Sequence, residues 1–364
     1  MYKKLISFLT IILFCGQVKA QNREQLIFDR IEYIFNLKPT IAKKYWKGFD
    51  KKKYDVPLIY YTDTESYIAN PPKDFINYYK PTLVSQNSNI RIYKTTKRFD
   101  DIPFHMATSF GIDESTDIII RPTPIMYCSS FEVTSKKIPE STSTEYWVTM
   151  IIHEYFHGFQ FKHKPYINTV LKKTGSVSED SLSKIFKNNI WFEEKIKKEN
   201  DFLLKAIQSK NSQETKINLD SFFISRKERR LETKSKINLE IDDIEKIYET
   251  MEGTARYIEY NLQVEYAIRK PDKKLLSVDT AYHSYQVFRN YKIENDPWLF
   301  TPGKRYFYAT GFNIVRLLDK LKIDYKTRLF KEGDLSLDEI LETNYKKKTA
   351  PNMGLWQVGA DGSN

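Results

Sequence analysis

One run of this chain leaves little freedom in how it is placed. EYWVTMIIHEYFHGFQF, Glu145 to Phe161, is apolar around nearly the whole circumference of a helix, yet it holds His153, Glu154 and His157. A helix that is hydrophobic all round belongs in an interior. Two imidazoles and a carboxylate must then be buried with it, and a buried glutamate is costly unless it is paired or bound to a metal. A solvated face does not account for these three residues.

Their spacing does. His153-Glu154-Tyr155-Phe156-His157 fits H-E-x-x-H. Positions i and i+4 share one helix face, so two imidazoles can converge on one zinc ion. The glutamate between them can take a proton from a metal-bound water. Histidine is scarce, five in 364 residues, which makes the match less easily fortuitous.

Catalytic zinc normally has three protein ligands and a water. Cys128 is the only cysteine beyond the N-terminal segment, so a thiolate cluster is excluded. His105, His163 and His283 remain. His163 follows His157 by six, but Gly158 directly after His157 breaks the H-E-x-x-H-x-x-G-x-x-H pattern. A carboxylate is the better third ligand. Ile244, Ile247, Met251, Ala255, Ile258 and Leu262 form an apolar stripe at helical spacing. Beside it run Glu245, Glu249, Glu252, Arg256 and Glu259. Glu245 and Glu259 read as a solvated face. Gly253, inside a strong helix, costs about 1 kcal/mol relative to Ala. It marks close packing, expected against the helix that bears the two histidines.

The N-terminus reads as a separate piece. MYKKLISFLTIILFCGQVKA has a basic start, an apolar run too short to span a bilayer, and Val18-Lys19-Ala20 before Gln21. That is the layout of a secretory signal cut near Ala20-Gln21, so an exported protein is expected, periplasmic or secreted. Losing Lys3, Lys4 and Lys19 takes the formal charge from +11 to +8. The remaining charge is mixed with acids along the chain, which fits neither a nucleic-acid stripe nor a nucleic-acid partner. No later stretch is apolar enough for a membrane span.

Residues 21–50 carry helical spacing. VPLIYYTD, NIRIYKTT and DIIIRPTPIMYC read as strands of a small N-terminal sheet. PESTSTE offers helix-start residues ahead of the His-bearing helix, which Pro165 closes. Residues 171–245 are dense in Lys, Arg, Glu and Asp and read as an inserted set of helices with solvated charged faces. A last helix is expected near 305–322, and a loose tail over 346–364. The expectation is therefore an α+β fold, a mixed sheet beside a mainly helical lobe, with residues 21–345 as one domain.

HEYFH followed by MEGTARYIEY resembles the gluzincins, the zinc metallopeptidases of the thermolysin and membrane-alanyl-aminopeptidase type. In many of them a Glu-Gly-x-Ala segment on a second helix supplies the third ligand. The resemblance implies a zincin-like catalytic core with one Zn2+, His153, His157 and Glu252 as ligands, and Glu154 as general base acting on a peptide or protein substrate. YATGFNIVRLLDKL resembles the Tyr-x-x-Gly-Phe segment of the aminopeptidase-like branch. That implies an oxyanion-stabilising role for Tyr308, with Tyr306 the alternative. The chain departs from the pattern in three ways. It places 94 residues between His157 and Glu252, it lacks the Gly-x-Met-x-Asn strand, and it has Arg256 where thermolysin's orienting acid would stand. Glu249 is then the candidate for that orienting role. A metallopeptidase-like binding protein without turnover, and a helical protein in which HEYFH is core alone, are the competing readings.

Overall fold

The computed structural model describes residues 2–97, 102–113, 118–174, 178–296 and 303–349. The architecture is α+β and mainly helical, with one six-stranded mixed sheet. Helix α1 (Tyr2–Lys44) places Ile27, Ile31, Ile34, Leu37 and Ile41 in the core, at the three- and four-residue intervals seen in the sequence. The strands are β1 (Leu58–Tyr61), β2 (Ser66–Ala69), β3 (Thr82–Gln86), β4 (Arg91–Thr95), β5 (Met106–Asp113) and β6 (Ile118–Ser129). Their order is β3-β4-β2-β1-β6-β5. Among the described residues only β1 and β6 pair in parallel, with Leu58 opposite Met126 and Ser129 opposite Tyr61. All four β1 residues are buried, as expected of a central strand covered on both faces. β5 closes one edge of the sheet and pairs with β6 alone among the described residues.

Two short helices, α2 (Lys73–Tyr79) and α3 (Phe131–Lys137), flank the sheet strands in sequence. The apolar run forms α4 (Thr144–Phe161). Ser143 caps it, its side chain accepting from the Tyr146 amide at 3.2 Å. The Trp147 indole donates to the Ser129 carbonyl at 3.1 Å and ties α4 to the end of β6. Helix α5 (Lys164–Thr174) follows at once. Pro165 lies in its first turn, where the missing N–H costs nothing, so it opens α5 and does not close α4.

The charged segment folds as α6 (Glu179–Asn188), α7 (Ile190–Gln208) and α8 (Ser212–Ile237). The expectation of solvated faces fails here. Arg226 and Arg229 on α8 are buried, as are Glu199 on α7 and Glu245 and Glu249 on α9 (Asp242–Ile268). Three further helices follow among the described residues, α10 (Lys273–Val278), α11 (Tyr306–Lys320) and α12 (Leu337–Thr349). α12 extends past the point where the loose tail was expected to begin, because Leu337, Ile340 and Leu341 are buried. Residues 350–364 of that tail lie outside the described residues. No helix among the described residues is long and apolar enough to cross a membrane.

Gly253 marks a close helix crossing, but not with α4. A Cβ there would lie 2.3 Å from the Gly311 carbonyl carbon, and one at Gly311 would lie 2.2 Å from the Glu249 carbonyl oxygen. α9 therefore meets α11 backbone to backbone. Only glycine on both sides permits that approach, and it sets Tyr308 of α11 beside Glu252 of α9.

Candidate metal centre

His153 and His157 stand one turn apart on α4, and their Nε2 atoms are 3.1 Å from one another. Glu252, one turn before the centre of α9, brings its Oε2 to 3.4 Å from His153 Nε2 and 3.3 Å from His157 Nε2. The three donors thus form a nearly equilateral triangle. A tetrahedral ion with bonds of about 2.0–2.1 Å spaces its donors about 3.3–3.4 Å apart, so the triangle has the size one zinc ion would need. All three side chains are buried. Glu252 Oε2 has no hydrogen-bond partner, and a buried acceptor left so is expensive unless a cation serves it.

The far side of each imidazole fixes what the near side offers. His153 Nδ1 lies 3.0 Å from Glu259 Oε2, and His157 Nδ1 lies 2.9 Å from Gln160 Oε1. Gln160 Nε2 donates to the Met251 carbonyl at 2.8 Å and to Thr254 Oγ1 at 2.7 Å, so its oxygen must be the atom facing His157. Both partners accept. Both Nδ1 atoms therefore carry the proton in the neutral rings, and both Nε2 lone pairs point at the centre.

Charge agrees with this geometry. Burial pushes the His157 imidazole down, but the facing Glu252 carboxylate, together with Glu154 and the Gln160 hydrogen bond, outweighs it and holds the ring up at about 9. Burial would raise Glu252, yet His157 and His153 hold it well below the usual carboxylate range. The Glu252 carboxylate is balanced by positive charge at this point, which a proton on the imidazoles or a bound cation supplies.

Glu154, half-buried, turns its carboxylate toward the same centre, with ligand atoms of His153, Glu154 and His157 all within 4.8 Å of one another. Burial pushes its carboxyl up from the ordinary range. Its Oε2 accepts the Thr108 amide at 3.1 Å, and its backbone oxygen accepts the Thr108 hydroxyl at 2.5 Å. Thr108 belongs to β5, so the sheet edge positions the carboxylate.

Tyr308 stacks nearly parallel to His153, with ring centroids 6.1 Å apart and planes 10° apart. Burial raises its phenol well above the ordinary value, and the nearby negative charge of Glu252 adds to this. The Arg256 guanidinium lies 5.1 Å from its ring centroid. Tyr306, the alternative, is not at the centre. Its hydroxyl donates to Glu245 at 2.5 Å, inside a separate ion cluster. His163 is away from the donors too, its Nδ1 on the Phe159 carbonyl at 2.8 Å.

Two sequence expectations are corrected here. Glu259 is not on a solvated face. It is buried because it holds His153 and accepts from Arg256 Nη1 at 2.7 Å. Glu249 does not orient a histidine, since Arg226 binds it through two nitrogens at 2.7 and 2.6 Å. The orienting groups that sequence reasoning missed, Glu259 and Gln160, do carry a positional signal. Glu259 stands two helical turns beyond Glu252, and Gln160 stands three residues beyond His157, each on its ligand's own face. Glu259→Gln keeps the shape but removes the carboxylate behind His153. It is expected to lower metal affinity by about 10- to 100-fold, read by competition against chelators of graded strength. An unchanged affinity would show that Glu259 serves packing alone.

No family model matches the chain, and no curated protein or solved structure matches it.

Proposed function

We propose that this centre is a hydrolytic zinc site. More particularly, the chain is read as an exported metallopeptidase of gluzincin type with a zincin-like catalytic core, cleaving peptide bonds in a peptide or protein substrate. The observation that carries this reading is the triangle of His153 Nε2, His157 Nε2 and Glu252 Oε2, with both Nδ1 atoms tied back and Glu154 alongside.

Zinc, when bound, supplies an activated water and a Lewis acid for the scissile carbonyl. The chain's own residues supply the rest. Glu154 is not needed as a ligand, so its carboxylate is available to take a proton from that water and pass it to the leaving amine. The Thr108 amide occupies one carboxylate oxygen and leaves the other for this work. Tyr308 is set to donate its hydroxyl to the oxyanion as negative charge develops. β5 offers a place for the substrate. Its Thr108 amide points out of the sheet toward α4, so an extended peptide pairing with that edge would pass beside Glu154. The N-terminal segment supports export, with cleavage near Ala20-Gln21.

The test is metal analysis of the purified mature chain together with turnover of a mixed fluorogenic peptide library. One zinc per chain is expected, with turnover abolished by chelator and restored by zinc. Substoichiometric zinc, or full zinc in the His153→Ala, His157→Ala double variant, would overturn the reading.

A further inference from the structure

Beyond the far end of α4 lies a second cleft, of about 220 Å³, which the metal centre does not use. Three separate pieces of chain build it. One is the turn from Trp46 to Tyr54, closed by Phe49 N–Trp46 O and Lys51 N–Gly48 O hydrogen bonds of 3.1 Å each. Gly48 sits at φ +98°, a left-handed conformation that suits glycine and turns Lys47 and Lys51 toward one cleft. The second piece is the end of α4, with Phe159 and His163. The third is the turn after α11, which contributes Lys326, Phe330 and Lys331.

Its floor is aromatic. Tyr54 stacks on His163 with centroids 4.4 Å apart and planes 20° apart, and Phe159 meets both rings edge-on at 5.0 and 4.7 Å. Its walls are cationic. Lys326 is committed to Asp319 at 3.0 Å. Lys47, Lys51 and Lys331 have no ion-pair partner among the described residues, although all three are exposed. No carboxylate lines the cleft. Three unpaired ammonium groups around one hollow, with no carboxylate among them, raise the local positive potential and attract an anion.

Electrostatics at the floor points the same way. Burial holds the His163 imidazole below its ordinary value, and the positive charges of Lys53 and Lys331 push it further down. The volume falls below the about 300–1,000 Å³ of a drug-sized site, so the occupant is small.

We propose that this cleft is a binding site for a small organic oxyanion, a phosphate or sulfate ester carrying one ring. The lysines would take the anionic group and the Tyr54–His163–Phe159 floor would take the ring. The site is independent of the metal centre and of the activity proposed for it.

The experiment is calorimetric titration of the full chain, in excess chelator so that no metal ion competes, with phenyl phosphate and with inorganic phosphate. Saturable one-to-one binding of phenyl phosphate is expected, about tenfold tighter than inorganic phosphate. Lys51→Glu and Lys331→Glu should each weaken it by about tenfold or more, with the urea midpoint of the free protein unchanged or raised. Lys205→Glu, a charge reversal at an exposed position on α7, should leave it unchanged. The proposal is overturned if phenyl phosphate shows no saturable binding, or if Lys205→Glu costs as much as the cleft variants. Inorganic phosphate binding equally well would remove the ring from the ligand and overturn the ester assignment.

Discussion

Glu154→Gln is expected to cut peptide turnover by about 10²- to 10⁴-fold while zinc stays at one ion per chain. The two halves of this result come from different atoms. The donors that hold the ion are His153 Nε2, His157 Nε2 and Glu252 Oε2, and the substitution touches none of them. Glutamine matches glutamate in shape, and its side-chain oxygen can still accept the Thr108 amide. What disappears is the basic oxygen that would take the water's proton. Measured kcat/KM beside metal content by mass spectrometry separates the outcomes. Loss of turnover with zinc retained makes Glu154 a base. Unchanged turnover would remove Glu154 from the reaction. Zinc lost together with turnover would make Glu154 a ligand, and the three-donor centre would be misassigned.

How far the site was legible in the sequence depended on the range of each contact. His153 and His157 are four residues apart on one helix, so their convergence follows from helix geometry alone. Glu252 lies on another helix, and only the Glu-Gly-x-Ala resemblance singled it out. Gly253 announced a tight crossing but not its partner, because the partner glycine, Gly311, sits 58 positions further on and carries no side-chain pattern of its own. β1, β4 and β6 stood out as β-branched or aromatic runs. β2 is four residues long, and β5, MATSFGID, lacks clean alternation, so the edge that positions Glu154 went unread. In the charged segment the buried residues of α8 are Thr215, Leu219, Phe222, Ser225, Arg226, Arg229 and Thr233, a stripe at three- and four-residue spacing with Ser225 beside it. Its second half consists of polar residues, so a hydrophobicity pattern ends at Phe222 although burial continues. The acids that receive those arginines lie on α7 and α9, which no local pattern reveals.

That buried stripe leads to the second large effect. Arg229 binds Glu199 through Nε and Nη2 at 2.6 and 3.0 Å, and Glu245 through Nη1 and Nη2 at 2.8 and 2.9 Å. Arg226 clamps Glu249, and Arg230 reaches Glu245 and Asp338. Glu245 and Glu249 belong to α9, the helix that carries Glu252 and Glu259, so the charged segment braces the helix that brings the third donor to the centre. Arg229→Met should destabilise the protein by about 3–5 kcal/mol at pH 7, because it strands carboxylates away from water without their cation. The pH dependence follows from Glu245. Burial would raise its carboxyl, but the arginines, Arg229 foremost, hold it below the unfolded value of about 4.3. In the native protein Glu245 therefore contributes stability above that value, lost only as pH falls through the lower folded one. Without Arg229 burial regains ground, and the folded carboxyl moves upward relative to the wild type. The difference in stability between wild type and variant should thus be largest toward pH 7, persist at pH 4, and shrink only as pH falls further, through the lower folded value. Urea unfolding at a series of pH values reads both curves. A cost under about 1 kcal/mol at pH 7, or one that does not change with pH, would mean that the cluster is solvated in solution and does not brace α9.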